Sequence, residues 1–167
     1  MKEIKLNLPL SEAEIRTLKP NDKVLLSGTL YTARDQAHKR LLELIRKGEP
    51  LPIDLKTITI FYCGPSPAAK GKICGAVGPT TSSRMDPYTQ EMLASGLKVM
   101  IGKGERSDET AALIRKYGAV YFTAVGGISA VLSRCIVSCE TWLWEDLGAE
   151  AVYRLDVIDL PVFVNIV

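Results

Sequence analysis

"LKVMIGKGERSDETAALIRKYGAVYFTAVG", residues 97–126, decides the fold. A strand-like stretch from Leu97 to Ile101, apolar but for Lys98, stops at the glycine-flanked Lys103. Ser107 then precedes Asp108 and Glu109, the side chains that favour a helix start, and Gly118 closes the helix. A second apolar run, 119–126, follows at once. A strand, a capped helix and a strand in this order predict two parallel strands joined by a crossover helix.

The pattern extends in both directions. On the N-terminal side, 85–96 reads as a helix closed by Gly96, with Pro87 tolerated in its first turn. Before it, "TITIFYCG" (57–64) is a buried strand ending at Gly64-Pro65. Residues 34–48 place Leu41, Leu42 and Ile45 at helical spacing and end at Gly48. Residues 23–33 are strand-like, with Gly28 marking a bulge or a close contact. Ser11 with Glu14 forms a capping-box pattern for a short helix, stopped by Pro20 and Asn21-Asp22. "IKLNL" (4–8) alternates as a strand. On the C-terminal side, 127–137 reads as a helix, and 149–167 is strand-rich with Pro161 breaking it. The whole reads as one α/β domain, residues 1–167, with mixed sheets and crossover helices. The strand-only ends are expected to form a separate small sheet or a barrel edge.

Composition narrows the function classes. The chain has 167 residues, 47% hydrophobic and 24% charged, enough for a core without disulfide staples. A net charge of +2 gives no support to a nucleic-acid partner. No apolar run is long enough to span a bilayer, and "MKEIKLNLPL" lacks the apolar core of a signal peptide, so a cytoplasmic location is expected. Cys63, Cys74, Cys135 and Cys139 lack paired Cys-x-x-Cys spacing and are expected as thiols. Cys135 and Cys139 would share a face if their segment were helical, which leaves a zinc or iron–sulfur site open. Buried inert thiols are the simpler reading.

In open α/β sheets ligands gather beyond the carboxyl ends of strands. Four polar stretches fall there: 32–40 with Arg34, Asp35 and His38; 62–86; 102–108 with Lys103; and 125–130. Thr80, Thr81, Ser82, Ser83 and Arg84 follow Gly78-Pro79 and precede a predicted helix. Free N–H groups there suit an oxyanion, and Arg84 can grip a carboxylate in two places. A plain Ser/Thr helix cap is the competing reading. Lys103 between glycines is either a ligand-facing point charge or a solvated turn lysine. "GKGERSD" is not a P-loop, and "VGGIS" resembles a phosphate-binding turn only weakly, with tight packing of strand against helix its simpler role. Arg34 opens a helix, where a cation opposes the helix dipole and a bound anion would explain it. His38 could work as an acid–base group or make a structural hydrogen bond. Together Arg34, Arg84 and Lys103 suit a small dicarboxylate. With one histidine, no carboxylate cluster and unpaired cysteines, no metal-ligand set accompanies them. The site reads as half of something.

In order, "TARDQAHKRL", "YCGPSPA", "GAVGPTTSSRMD", "GKG" and "AVGGISAVLS" resemble the β subunit of class I iron–sulfur fumarate hydratases and L-tartrate dehydratases, which corresponds to the C-terminal domain of single-chain members. The resemblance runs from about Leu8 to the end. It implies a swivelling β/β/α domain. It also implies a hydro-lyase whose α subunit carries a [4Fe-4S] cluster on three cysteines, so that this chain binds no metal. Carried onto matching positions, Arg34, Arg84 and Lys103 bind substrate carboxylates. Thr80 hydrogen-bonds substrate and is a candidate for proton transfer, with Thr81 and Asp35 in support and His38 a further possible supporter. The implied activity is reversible hydration of fumarate to L-malate, or dehydration of tartrate to oxaloacetate, by a dimer of α–β pairs; the chain alone is expected to be inactive. A stand-alone anion- or nucleotide-binding module is the remoter alternative, carried by "VGPTTSSR" and "GKG" alone.

Overall fold

A computed structural model describes residues 3–65, 70–71, 73–75, 77–124 and 129–167. Among them the chain forms β1 (Glu3–Asn7), α1 (Glu12–Thr17), β2 (Lys23–Thr32), α2 (Asp35–Lys47), β3 (Thr59–Phe61), α3 (Asp86–Ala94), β4 (Val99–Gly102), α4 (Asp108–Lys116), β5 (Val120–Ala124), α5 (Ser129–Cys135), β6 (Ile136–Leu143) and β7 (Val152–Ile166). The expected mixed α/β architecture with crossover helices is present.

Local signals set most boundaries. The capping box forms in full, with Ser11 Oγ accepting the Glu14 N–H and the Glu14 carboxylate accepting the Ser11 N–H. Gly48 ends α2 in the left-handed conformation, and Ser107 Oγ caps α4. The register of β2 shifts between Leu26 and Gly28, as a bulge there requires. A Cβ on Gly28 would lie 2.9 Å from that of Leu8, so the close contact is real as well.

β1 to β5 run parallel as neighbours, in order β1-β2-β3-β4-β5. β7 runs antiparallel to both β5 and β2, and β6 pairs with β7 from outside. The ladder β2-β3-β4-β5-β7-β2 therefore returns to its starting strand. The expected separate terminal sheet is absent among the described residues: both chain ends join one seven-stranded sheet. Of the two options read from the sequence, the barrel edge is the one formed.

Side chains alternate between two cores, as the period of a strand demands. Phe61, Val99, Ile101, Val120 and Phe122 face the inside of the ring with β7 residues Leu155, Leu160, Val162 and Val164, and with Ile15 of α1. Ile60, Met100 and Tyr121 face outward against Leu41 and Leu42 of α2, Met92 and Leu93 of α3 and Ile114 of α4. Each fully buried side chain of this size removes apolar surface worth about 1.5–3 kcal/mol.

Three expectations are corrected. Pro161 does not break β7, which runs from Val152 to Ile166. On the edge shared with β6 and β5, Pro161 falls between the last β6 partner, Val157, and the first β5 partner, Val162. A missing N–H there breaks no ladder bond on that edge. The helix expected over 127–137 stops at Cys135, where the β-branched pair Ile136-Val137 starts a strand that β7 receives. Cys135 and Cys139 therefore lie on different elements and share no helical face. The helix expected from 85 begins at Asp86 and is preceded by a 3-10 turn, Ser82–Met85.

Candidate active site

The carboxyl ends of β2, β3 and β4 lie side by side, and each delivers one part of the site. After β2 the chain turns straight into α2, with Arg34 as the residue before its first turn and no side-chain cap. After β3, Tyr62, Cys63 and Gly64 continue the strand direction. After β4 comes Lys103. The segment 77–84 then threads between the last two ends. Thr80 N–H donates to the Tyr62 carbonyl at 2.6 Å, and Cys63 bridges Pro79. Thr81 bridges Lys103, and Ser82 N–H donates to the Lys103 carbonyl at 3.0 Å.

This close threading explains two glycines. A Cβ on Gly102 would sit 1.9 Å from Ser82 Oγ, and one on Gly64 would sit 2.4 Å from the Ala149 carbonyl and 2.8 Å from Arg34 Cδ. Gly64 thus gives the Arg34 side chain its bed. The Arg34 Nε is buried and has no hydrogen-bond partner among the described residues. A buried guanidinium nitrogen without an acceptor is uncommon, and Arg154 Nε is the other arginine nitrogen of this kind among the described residues.

The hydroxyl run splits by burial. Ser82 is fully buried. Its Oγ accepts the Lys103 N–H at 3.0 Å and lies 2.7 Å from the Tyr121 hydroxyl, itself 2.8 Å from the Gly104 carbonyl. A carbonyl only accepts, so Tyr121 donates to Gly104 and Ser82 donates to Tyr121. Thr80 is half-buried and Thr81 and Ser83 are exposed. The plain-cap reading finds no support, because Thr81 makes no capping bond to the 3-10 turn and Met85 makes none to α3.

Arg84 and Asp35 meet in an ion pair at 2.8 Å, with Asp35 the more enclosed at 18% exposure. That pair joins the α2 start to the 80–84 segment, while the Thr81 bridge joins the same segment to Lys103. Arg34, Asp35, Thr80, Thr81, Arg84 and Lys103 are therefore gathered at three adjacent strand ends. The fourth polar stretch, 125–130, begins outside the described residues.

His38 is placed differently. It lies on the buried face of α2, stacked on Tyr88 and packed against Tyr62. Its Nδ1–H donates to the Arg34 carbonyl at 2.8 Å. Burial lowers its pKa to about 4, with the nearby Arg106 cation adding to the effect and the Arg34 carbonyl and Asp35 opposing it. It is a neutral ring at neutral pH that steadies the backbone of Arg34. Its place in the Leu41/Leu42 stripe of the sequence carries that information.

The sequence reading missed the buried base of the site. Arg106, with 0% side-chain exposure, pairs with Asp86 at 2.6 Å directly behind the 80–84 segment. Nothing local in the sequence distinguishes it from a surface arginine.

The cysteines do not assemble a metal centre. Cys63 is in the inner core, where burial pushes its thiol pKa up. Cys139 is pushed up to about 12, chiefly by burial and then by its hydrogen-bonded neighbour Cys74. Cys135 Sγ donates to the Asp159 carbonyl at 3.6 Å. Among the described residues no three His, Cys, Asp or Glu side chains are placed to share a metal ion, so this donor set does not fit a [4Fe-4S] cluster.

Comparison with known proteins gives a consistent result. A family model described as "Fumarase C-terminus" matches residues 1–167. The chain is 37% identical over 165 residues to "Fumarate hydratase 1, mitochondrial" of Leishmania major, covering 96% of this chain and 30% of that protein. It is 36% identical over 165 residues to "Fumarate hydratase class I, aerobic" of Escherichia coli (strain K12), with the same coverage. It is 34% identical over 153 residues to "Putative L(+)-tartrate dehydratase subunit beta" of Methanocaldococcus jannaschii, covering 89% of this chain and 78% of that one. The chain thus spans about 30% of the length of the fumarate hydratases it matches.

Proposed function

Because the chain belongs to the fumarase C-terminus family, we propose that it is the substrate-binding part of a hydro-lyase that reversibly hydrates fumarate to L-malate. One observation carries the reading. Three cations and two threonines converge at adjacent strand ends, and one of those cations, Arg34, has a buried nitrogen with no acceptor among the described residues.

Arg34 and Arg84 hold one carboxylate of the substrate, with Asp35 keeping Arg84 aimed until the substrate arrives. Lys103 takes charge at the other end. As the proton leaves carbon in the dehydration direction, negative charge builds on the adjacent carboxylate, and these cations are already in place to meet it. Thr80, half-buried and fixed by its own N–H, donates a hydrogen bond to the substrate and lies in the path of the proton. A threonine hydroxyl is a weak base, so an acidic group from a partner completes that step. His38 stays neutral and holds the Arg34 backbone.

The cluster belongs to a partner. The donor set among the described residues does not fit one; in this reading the chain is inactive alone and works as a single β/β/α domain that swivels against an α subunit, in a dimer of such pairs in the cytoplasm. L(+)-tartrate dehydration to oxaloacetate is the second reading. It is favoured by the relative named a tartrate dehydratase subunit, of whose length the match covers 78%.

The test is the assembled enzyme assayed on both substrates. Arg84→Ala or Lys103→Ala is expected to cost about 2–5 kcal/mol of transition-state binding, roughly 30- to 5,000-fold in kcat/KM, without unfolding the chain. Near-normal kinetics in either variant would remove that residue from the site. Turnover by the purified chain without partner or cluster would overturn the division of labour.

A further inference from the structure

Arg106 takes no part in the proposed chemistry, yet Thr80, Ser82, Arg84 and Lys103 are all anchored through its neighbours. Its Nε donates to Asp86 Oδ1 at 2.6 Å. One terminal nitrogen donates to Thr89 Oγ1 at 2.7 Å and the other to the Tyr62 hydroxyl at 3.4 Å. The guanidinium plane lies over the rings of Tyr62 and Tyr121, 5.2 and 4.9 Å from their centroids. The second Asp86 oxygen accepts the Ser107 N–H at 3.0 Å. One side chain therefore ties the end of β3, the start of α3, the β4–α4 loop and β5.

Those four points are the anchors of the candidate site. Tyr62 receives the Thr80 N–H. Tyr121 receives the Ser82 hydroxyl, whose oxygen holds the Lys103 N–H. Asp86 immediately follows the turn that carries Arg84. A buried ion pair is a poor source of stability, because desolvation offsets most of its attraction. A guanidinium is a good source of geometry, because its donors form a rigid fork that a flexible lysine cannot copy.

We propose that Arg106 is a positioning residue: it touches no substrate and sets the separation between the Thr80–Arg84 segment and Lys103. The proposal rests on the reading that those residues bind the dicarboxylate. Removing the fork lets the segment and the strand end move apart, and a displacement of about 1 Å is enough to cost a site much of its grip.

The experiment compares Arg106→Lys and Tyr62→Phe with the parent in the assembled enzyme, measuring kcat, KM, melting temperature and amide hydrogen exchange. Both variants are expected to raise KM about tenfold. Exchange at the Thr80, Ser82 and Lys103 amides should speed up about tenfold, while β2 and β7 stay protected. A purely structural role would instead reduce the amount of folded enzyme, lowering apparent kcat with KM unchanged and raising exchange evenly. Either of those results overturns the proposal. If Arg106→Lys does not fold, Tyr62→Phe decides the matter alone, since it removes the hydroxyl that accepts from Arg106 and leaves the ring and the Tyr62 carbonyl in place. If Arg84→Ala and Lys103→Ala also leave KM unchanged, the site reading has failed, and local exchange alone then decides for or against the Arg106 clamp.

Discussion

Acid should unfold this protein first through His38, and the loss can be worked out. The buried ring titrates at about 4 in the fold against 6.5 for an exposed histidine. At 1.36 kcal/mol per pH unit, that gap corresponds to about 3.4 kcal/mol at full protonation. The sign follows from which state binds the proton first. The unfolded chain does, so stability is intact above about pH 6.5 and falls as pH drops toward the folded value. Between pH 7 and pH 5 the expected loss is about 2 kcal/mol. Glu91, Asp146 and Asp156 also have lowered values, each mainly through a hydrogen bond to Arg46, Arg40 or Ser138, but they start from 4.5 and 3.8 and act at lower pH. The window above pH 5 therefore isolates His38. The assay is urea unfolding at pH 7 and pH 5 for the parent and for His38→Asn, whose amide can still donate to the Arg34 carbonyl. The parent should lose about 2 kcal/mol more than the variant over that interval. Equal losses in the two proteins would refute a buried neutral ring, and with it the separation of His38 from the proton chemistry.

Gly64→Ala places a methyl 2.4 Å from the Ala149 carbonyl, so stability should fall by about 1–3 kcal/mol in urea titrations and Arg34 should lose its bed; an unchanged midpoint would mean that the backbone can retreat. Ser11→Ala removes half of the capping box and is expected to cost about 1 kcal/mol, read from the same titrations, with Ser11→Gly costing less. Iodoacetamide at pH 8 should leave Cys63 unmodified until the chain unfolds and label Cys139 slowly, as judged by mass spectrometry; rapid labelling of Cys63 in the native state would contradict its burial.

The sequence displayed what short-range physics decides. Ser11 with Glu14, Gly48 after α2 and Ser107 before α4 each act within a turn of the chain, and each was found where the residues indicated. The same holds for the strand–helix–strand unit at 97–126. It also holds for the gathering of Arg34, Thr80, Arg84 and Lys103, because the ends of neighbouring parallel strands meet by rule. What escaped depends on distant partners. Pro161 reads as a breaker until the gap between β6 and β5 is known. Ile136 continues a helical pattern until β7 offers it an edge. Ser82 looks like one hydroxyl among four, and only the Tyr121 hydroxyl across the sheet assigns it to the interior. Arg106 is one charge in "GKGERSD", and its burial needs Asp86, Tyr62 and Tyr121 around it at once.

The return of the ladder from β7 to β2 has a consequence in time. β7 is the partner of β2, β5 and β6 together, and links such as Thr29 to Asp156 span 127 positions of the chain. During synthesis β1 to β5 emerge before β7 and can stack in register, but β5 and the outer edge of β2 wait with open backbone groups until β7 leaves the ribosome. Loop closure over such a separation is slow, and the waiting edges are the kind that pair with the wrong neighbour. β7 is thus the latch that ends the period of exposure, and a nascent chain stalled just before it would be the form most prone to associate with its own copies.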